Sequence, residues 1–363
     1  MRKLFAFLLI FLLGFCLAGS ADTVKILTIK DYIINPVTYE YISENLKKAE
    51  KENCPALIIR INTPGGLLKS TQDITKEILN SEIPVITYVW PKGGRAASAG
   101  TFIGYSSSIL AMAPSTHIGA AHPVVGQGSW GEVGEKLQEK MMNDTLAWAK
   151  NISRQRNRPY RYLREMVEES KSFTEEEALR RGIIDLVAQD TDTLIRGIDS
   201  KTFKLKDAEV VLNIKDADKE FIELSFRQKI LNVLLHPNLA YLLFTLGFLG
   251  LVFEVTHPGF GFPGIAGIIC IITAFYAFSV LPVNYAGVIF IILGLVFLVI
   301  ETVTPTFGLF AGAGVVSFVM GSLFLFRGPP SLKVSLSFII PLTVVAVFWN
   351  VFIVGKILQI RLV

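Results

Sequence analysis

The chain has 363 residues, 51% of them apolar and 18% charged, with a formal net charge of +4. That is too apolar for one soluble domain and too charged for a plain membrane bundle, and it excludes disorder, a disulfide scaffold and a plain cytosolic enzyme. The charges are divided unevenly: 60 of the 66 lie before His236, and the rest of the chain carries only Glu254, Glu301, Arg327, Lys333, Lys356 and Arg361. We therefore expect a soluble region and a membrane region, each with a net charge of +2, and no basic surface suited to nucleic acid.

Residues 1–21 read as a secretory signal, with Arg2 and Lys3 ahead of an apolar run and small residues at Gly19 and Ala21. Such a leader would place the soluble region outside the cytoplasm. A strand is expected at 24–29, a helix at 36–51, a buried strand at 56–61 and a helix at 67–80. A strand at 84–89 then leads through a glycine- and alanine-rich turn to a small-residue helix at 99–108 and a strand at 109–113. This alternation predicts an α/β fold with a parallel sheet covered on both faces. Helices at 132–153, 159–170 and 174–181 follow, then a strand at 183–187. Residues 191–235 are polar and weakly patterned, with a β segment near 202–213, and read as an extension and linker.

From residue 236 to 363, five apolar stretches (239–255, 263–281, 285–302, 307–326 and 335–355) approach the length needed to span a bilayer. An internal repeat runs through them at a constant offset: Glu254, Pro258, Phe260, Gly261 and Gly267 recur as Glu301, Pro305, Phe307, Gly308 and Gly314. Two spans fit within that offset, so the repeat is parallel. Each glutamate falls at the end of a span, where a loop-facing or interfacial carboxylate costs little.

Three soluble segments carry chemistry. Asn62-Thr63-Pro64-Gly65-Gly66-Leu67 leaves a buried strand and enters a helix, and its glycines can turn backbone N–H groups into a cleft. Gly93 to Gly100, with Ser98 among small residues, again joins strand to helix; Ser98 is open either to catalysis or to the ordinary work of capping that helix. Lys140, with Lys136 a turn earlier, lies on the helix at 132–153, where a lysine serves a serine as general base if it is neutral. His122 is the competing base. The cysteines Cys16, Cys54 and Cys270 are scattered, which signals no metal site, and Cys54 ahead of a strand reads as a packed thiol.

Together, TPGG, GGRAASAG, EKMMNDTLAWAK (139–150) and FTEEEALRRGIIDLVA (173–188) resemble the membrane-bound serine proteases of the NfeD family. The soluble part of that family is similar to the ClpP protease and signal peptide peptidase A, within the crotonase-like fold. The resemblance implies a ClpP-like protease domain over 22–190, Ser98 as nucleophile, the amides of Gly66 and Ala99 as oxyanion hole and Lys140 as dyad base. Where ClpP has its aspartate, counting back from Gly182 and Asp185 reaches Ser170, so a His122 base would lack its orienting acid.

The resemblance also implies a multi-pass cell-membrane protease with an extracytoplasmic catalytic domain and no cofactor. Its substrates would be hydrophobic segments of membrane proteins, a stomatin-like protein among them, and the chain would be a homo-oligomer. Longer members carry an OB-fold domain after the spans; here the chain ends at Val363, so that domain's partners are not expected. The rival readings are an acyl-CoA enzyme on the same fold, disfavoured by export, and a non-catalytic peptide-binding membrane scaffold partnering a stomatin-like protein.

Overall fold

The computed structural model describes residues 23–123, 132–205, 208–256, 259, 261–304, 306–328 and 330–361; the expected leader at 1–21 lies outside them. The first half runs β1 (Thr23–Lys30), α1 (Pro36–Lys51), β2 (Leu57–Asn62), α2 (Leu68–Asn80), β3 (Val85–Val89), β4 (Arg95–Ala97), α3 (Ala99–Ser106), β5 (Ile109–Met112) and β6 (His117–Gly119). It continues with α4 (Glu132–Gln155), α5 (Tyr160–Glu168), β7 (Ser172–Thr174), α6 (Glu175–Arg180), β8 (Leu186–Val187), α7 (Thr191–Ile198), β9 (Thr202–Leu205), β10 (Ala208–Val211), β11 (Asp218–Ile222) and α8 (Phe226–Leu234).

Six strands form one parallel sheet in the order β11-β1-β2-β3-β5-β8. Alternation along β2 shows how it is covered. Leu57, Ile59 and Ile61 pack with Ile42, Leu46, Ile74 and Ile78 of α1 and α2, while Ile58 faces Leu194, Ile195 and Ile198 of α7. The expected α/β class is therefore the observed one. The polar stretch after residue 190 does more than its composition suggested: it supplies α7 to one face, and β11 pairs in parallel with β1.

Two expectations shift. The strand expected over 183–187 narrows to Leu186–Val187, because the Ile183 and Ile184 amides turn back onto the Ala178 carbonyl at 2.8 and 3.4 Å. The glycine-rich turn also contains a strand. β4, β6 and β7 make a small second sheet, and Thr63 bridges to Ala96 of β4.

α1 begins at Asn35, whose Oδ1 accepts from the Thr38 amide at 3.0 Å, with Pro36 at the first helical position. The Asn35 side chain also donates to Asn232 Oδ1 on α8 at 2.7 Å in a buried setting. Ile33, Val37 and Leu67 pack into the apolar cluster of the membrane half, so the two halves share a contact surface beside the 63–67 turn.

The membrane half contains α9 (Pro237–Thr256), α10 (Phe262–Val280), α11 (Tyr285–Val303), α12 (Leu309–Phe324) and α13 (Leu336–Arg361). Three stretches, Pro237–Val255, Phe262–Val280 and Tyr285–Thr302, are long and apolar enough to cross a membrane; Leu309–Phe324 and Leu336–Trp349 are shorter apolar helices. The repeat is structural. Glu254 accepts from the Gly261 amide at 3.0 Å, and Glu301 from the Gly308 amide at 2.9 Å, so each carboxylate at the end of one helix caps the start of the next. A Cβ on Gly247 would meet Gly267 O at 2.8 Å, and one on Gly294 would meet Gly314 O at 2.8 Å, so both hairpins (α9–α10 and α11–α12) close through a glycine pair. Pro258, Phe260 and Pro305 of the repeat lie outside the described residues.

Candidate active site

The site forms where the turn after β2 meets the junction between β4 and α3. Thr63 holds the two together: its amide donates to Arg95 O at 2.8 Å and its carbonyl accepts from Ala97 N at 3.2 Å. The Thr63 hydroxyl donates to Tyr32 O at 2.7 Å and accepts from the Gly65 amide at 3.1 Å, folding Gly65 back over its own strand. Gly65 has φ +119°, a conformation that disfavours any side chain.

Ser98 stands at the start of α3 with φ 52° and ψ −109°, a sparsely populated conformation for a non-glycine residue. Such a conformation costs about 1–3 kcal/mol and persists only where the surroundings impose it. They impose it here. The Ser98 amide donates to Gly119 O at 2.9 Å, and the Thr101 hydroxyl reaches both Ala96 O and Gly119 O at 3.0 Å. Ser98 makes no side-chain capping bond to α3, so its hydroxyl is not occupied as a helix cap. A sharp strand-to-helix turn that presents a serine hydroxyl is the geometry of a nucleophile elbow.

Gly65 lies directly against this hydroxyl. A Cβ on Gly65 would come within 2.7 Å of Ser98 Cβ and 3.1 Å of Ser98 Oγ. Gly66 pairs with Ile34, which takes Gly65 O and Leu67 N into backbone bonds at 2.9 and 2.8 Å; the Gly66 amide makes no hydrogen bond among the described residues. The Ala99 amide, at the first helical position of α3, is likewise without a partner among them. Ser98, Gly66 and Ala99, expected together from the sequence, thus share one junction. Gly65 was not singled out; its signal was its place in a double glycine after a buried strand, which cannot tell which of the two faces the serine.

Lys140 lies exposed on α4 and makes no hydrogen bond or ion pair among the described residues; Lys136 is also exposed. Helix α4 packs on α3 through Phe102 and Trp148, whose rings stack at 4.3 Å. The Arg156 guanidinium, just past its C-terminus, donates to Ser106 O at 2.6 Å. These contacts run α3 and α4 in the same sense. At 100° per residue, Lys140 is turned about 80° from Trp148 and Lys136 about 120°.

His122 donates from Nδ1 to the Val167 carbonyl at 2.9 Å. Because a carbonyl only accepts, Nδ1 carries the proton of this bond, and the neutral ring held this way has its lone pair on Nε2. Ser170, the position counted as opposite the histidine, is exposed, so the group that orients His122 is a backbone carbonyl with no sequence signature. His117 is a β6 residue paired with Arg95; burial, and then the Arg95 charge, hold its imidazole below the ordinary value. Cys54 is a buried core thiol whose pKa burial pushes up, as expected for a packed residue.

The family described as "NfeD1b, N-terminal domain" matches residues 23–219, and "NfeD integral membrane domain" matches residues 238–356. The chain is 37% identical over 297 residues to the membrane-bound protease PH1510 of Pyrococcus horikoshii, covering 81% of this chain and 67% of that protein. It is 30% identical over 323 residues to the membrane protein NfeD1b of Bacillus subtilis, covering 88% and 71%. Among solved structures, a lysine-to-alanine mutant of the membrane-bound stomatin-specific protease 1510-N, in complex with a substrate peptide, matches with TM-score 0.54 at 31% identity, over 59% of this chain and 98% of that one. A serine-to-alanine mutant of 1510-N matches with TM-score 0.52 at 31% identity, over 57% and 100%.

Proposed function

This chain belongs to the NfeD family of membrane proteins, and on that premise we propose that it is a serine endopeptidase acting on hydrophobic segments of membrane-associated proteins. The observation that carries the reading is Ser98 itself, held at positive φ between β4 and α3, uncapped and pressed against a glycine. Strain of this kind is held in place by its surroundings, and here it leaves a hydroxyl free to meet an incoming carbonyl.

In the proposed reaction, Lys140 accepts the Ser98 proton as Oγ attacks the peptide carbonyl. The tetrahedral oxyanion is held by the Gly66 and Ala99 amides. Lys140 returns the proton to the departing amine, and water then hydrolyses the acyl-serine. Support for Lys140 over Lys136 comes from the α3–α4 packing, which from Phe102 and Trp148 runs back toward Ser98 on α3 and Lys140 on α4 at the same end, with Lys140 nearer in the chain and in rotation. The two residue types altered in the 1510-N structures are also a serine and a lysine.

One observation favours His122 as an alternative base: with Nδ1 anchored on Val167 O, its tautomer is fixed without a carboxylate. The same reading assigns 22–190 to the protease domain, 191–235 to its extension and linker, and 236–363 to a membrane domain of about five spans. It assigns an extracytoplasmic site, a homo-oligomer and a stomatin-like substrate or partner; 1510-N is described as a stomatin-specific protease.

The test is cleavage of apolar peptides by the full chain in detergent, beside Ser98→Ala, Lys140→Ala and His122→Ala. Loss with the first two and survival of the third establishes the dyad. Loss with His122→Ala and survival of Lys140→Ala moves the base to the histidine. Unchanged cleavage by Ser98→Ala sinks Ser98 as the nucleophile, and no cleavage by the folded wild type across a broad peptide set leaves a peptide-binding scaffold.

A further inference from the structure

Helix α8 is inside out. Its N-terminus is closed by a capping box between Ser225 and Gln228, so it is a well-formed helix. Yet the side chains it buries are polar: Gln228 is 4% exposed and Asn232 9%. Beside Arg227 and Lys229, which pair with Glu40 and Glu223, it turns apolar side chains outward, with Phe226 81%, Ile230 45% and Val233 57% exposed, at spacings of four and three that put them on one face. A helix surrounded by water has the opposite arrangement.

The polar face is fully engaged with the catalytic half. Asn232 accepts from Asn35 at 2.7 Å, Gln228 donates to Glu44 at 3.1 Å, and Arg227 pairs with Glu40. Only Leu235 and His236 separate α8 from α9, which among the described residues is the first helix long and apolar enough to cross a membrane. Leu231 and Leu235 already pack into the apolar cluster of the membrane half. The start of α9, the end of α10 and the start of α11 all lie at this end of the bundle, where Tyr285 is exposed as an aromatic at a bilayer boundary would be.

We propose that α8 is an interfacial helix whose Phe226–Ile230–Val233 face lies in the headgroup boundary of the bilayer, so that the catalytic half is seated on the lipid surface. The occupant of the face is lipid because the face continues directly into helices that are themselves apolar on the outside. The polar face then serves as the anchor to protein. Through Asn35 and its neighbour Ile34, which pairs with Gly66, that anchor is one residue from the Gly65–Gly66 turn. The inference does not depend on which chemistry Ser98 performs.

The experiment uses the full chain in vesicles of phosphatidylcholine and phosphatidylglycerol. Phe226→Cys, Ile230→Cys, Val233→Cys and, as a control on exposed β10, Val211→Cys each carry a nitroxide, with Cys16, Cys54 and Cys270 replaced by alanine. Collision with oxygen should exceed collision with a water-soluble nickel chelate several-fold at 226, 230 and 233, and the order should reverse at 211. Nickel-dominated collision at all four positions overturns the proposal. So does exclusion of both reagents at 226, 230 and 233, which would mean that protein, such as a second copy, covers the face. A photoactivatable lipid on the unsubstituted chain gives a label-free second reading: adducts within Phe226–Leu234 support it, and adducts on α9 with none on α8 reject it.

Discussion

Glycine does opposite work in the two halves of this molecule. In the catalytic half, Gly65 sits at φ +119° beside a serine that is itself at positive φ, and the strained backbone brings the two into contact. In the membrane half, Gly247, Gly267, Gly294 and Gly314 lie within helices, and what matters is the absent Cβ that lets two helices touch. The acids divide in the same way: Glu40 and Glu44 clamp α8 from outside the membrane, whereas Glu254 and Glu301 close helix ends within the bundle. A close-approach glycine within a helix serves packing, whereas one in a strained turn fixes the backbone beside it.

Gly65→Ala strikes the Ser98 junction directly. The new Cβ would overlap Ser98 Cβ and demand an unfavourable φ, so peptide cleavage should fall by at least about 100-fold, the usual effect of displacing a reacting group by an ångström. Turnover by the folded fraction is the measurement. Retention of full activity would separate the turn from the catalytic machinery.

In the membrane half, Gly294→Ala would press its Cβ to 2.6 Å from Phe318 N and 2.8 Å from Gly314 O. Overpacking of this kind costs about 1–3 kcal/mol, and thermal unfolding in detergent should show it. Turnover per folded molecule should stay at the wild-type value. A drop in turnover matching that of Gly65→Ala would erase the distinction between the two classes of glycine.

The two copies of the repeat sharpen it further. Glu301 accepts from the Thr306 amide and hydroxyl and from the Gly308, Phe310 and Ala311 amides, whereas Glu254 accepts from Gly261 alone among the described residues. Glu301→Gln should therefore lower the melting temperature by several degrees, and Glu254→Gln by less. Equal losses would show that the copies carry equal load.

The smallest expected effect is on the catalytic half at acid pH. Burial, and then Arg95, disfavour the charged form of His117, so the unfolded chain binds the extra proton first as pH falls through the ordinary histidine value. Stability should decline from neutral to mildly acidic pH, and His117→Gln should flatten that slope slightly; urea midpoints read both.

Much of this was legible along the chain. The alternation of apolar strands and amphipathic helices specified the parallel sheet, and α1 was readable because a proline opens it and its apolar stripe is regular. The five apolar stretches became helices, and the offset that links Glu254 to Glu301 proved to be a capping arrangement used twice. Ser98 and the double glycine stood out as a pair of strand-to-helix turns rich in small residues.

What escaped was decided by contacts between distant segments. β6 and β7 are three residues each, too short for a period to show, and they form by pairing across the chain, β6 with both β4 and β7. β11 is polar and largely exposed, and it becomes a strand by lying beside β1, far away in the chain. No local pattern could say that Gly65 rather than Gly66 faces Ser98, that a Val167 carbonyl holds His122, or that α8 turns its apolar side outward. Sequence by itself determined which segments bury apolar surface and how regularly, because that depends on side-chain periodicity. Only the tertiary structure decided which backbone groups were left free and which side chains met, because hydrogen bonds and close contacts are settled between segments once the chain has folded.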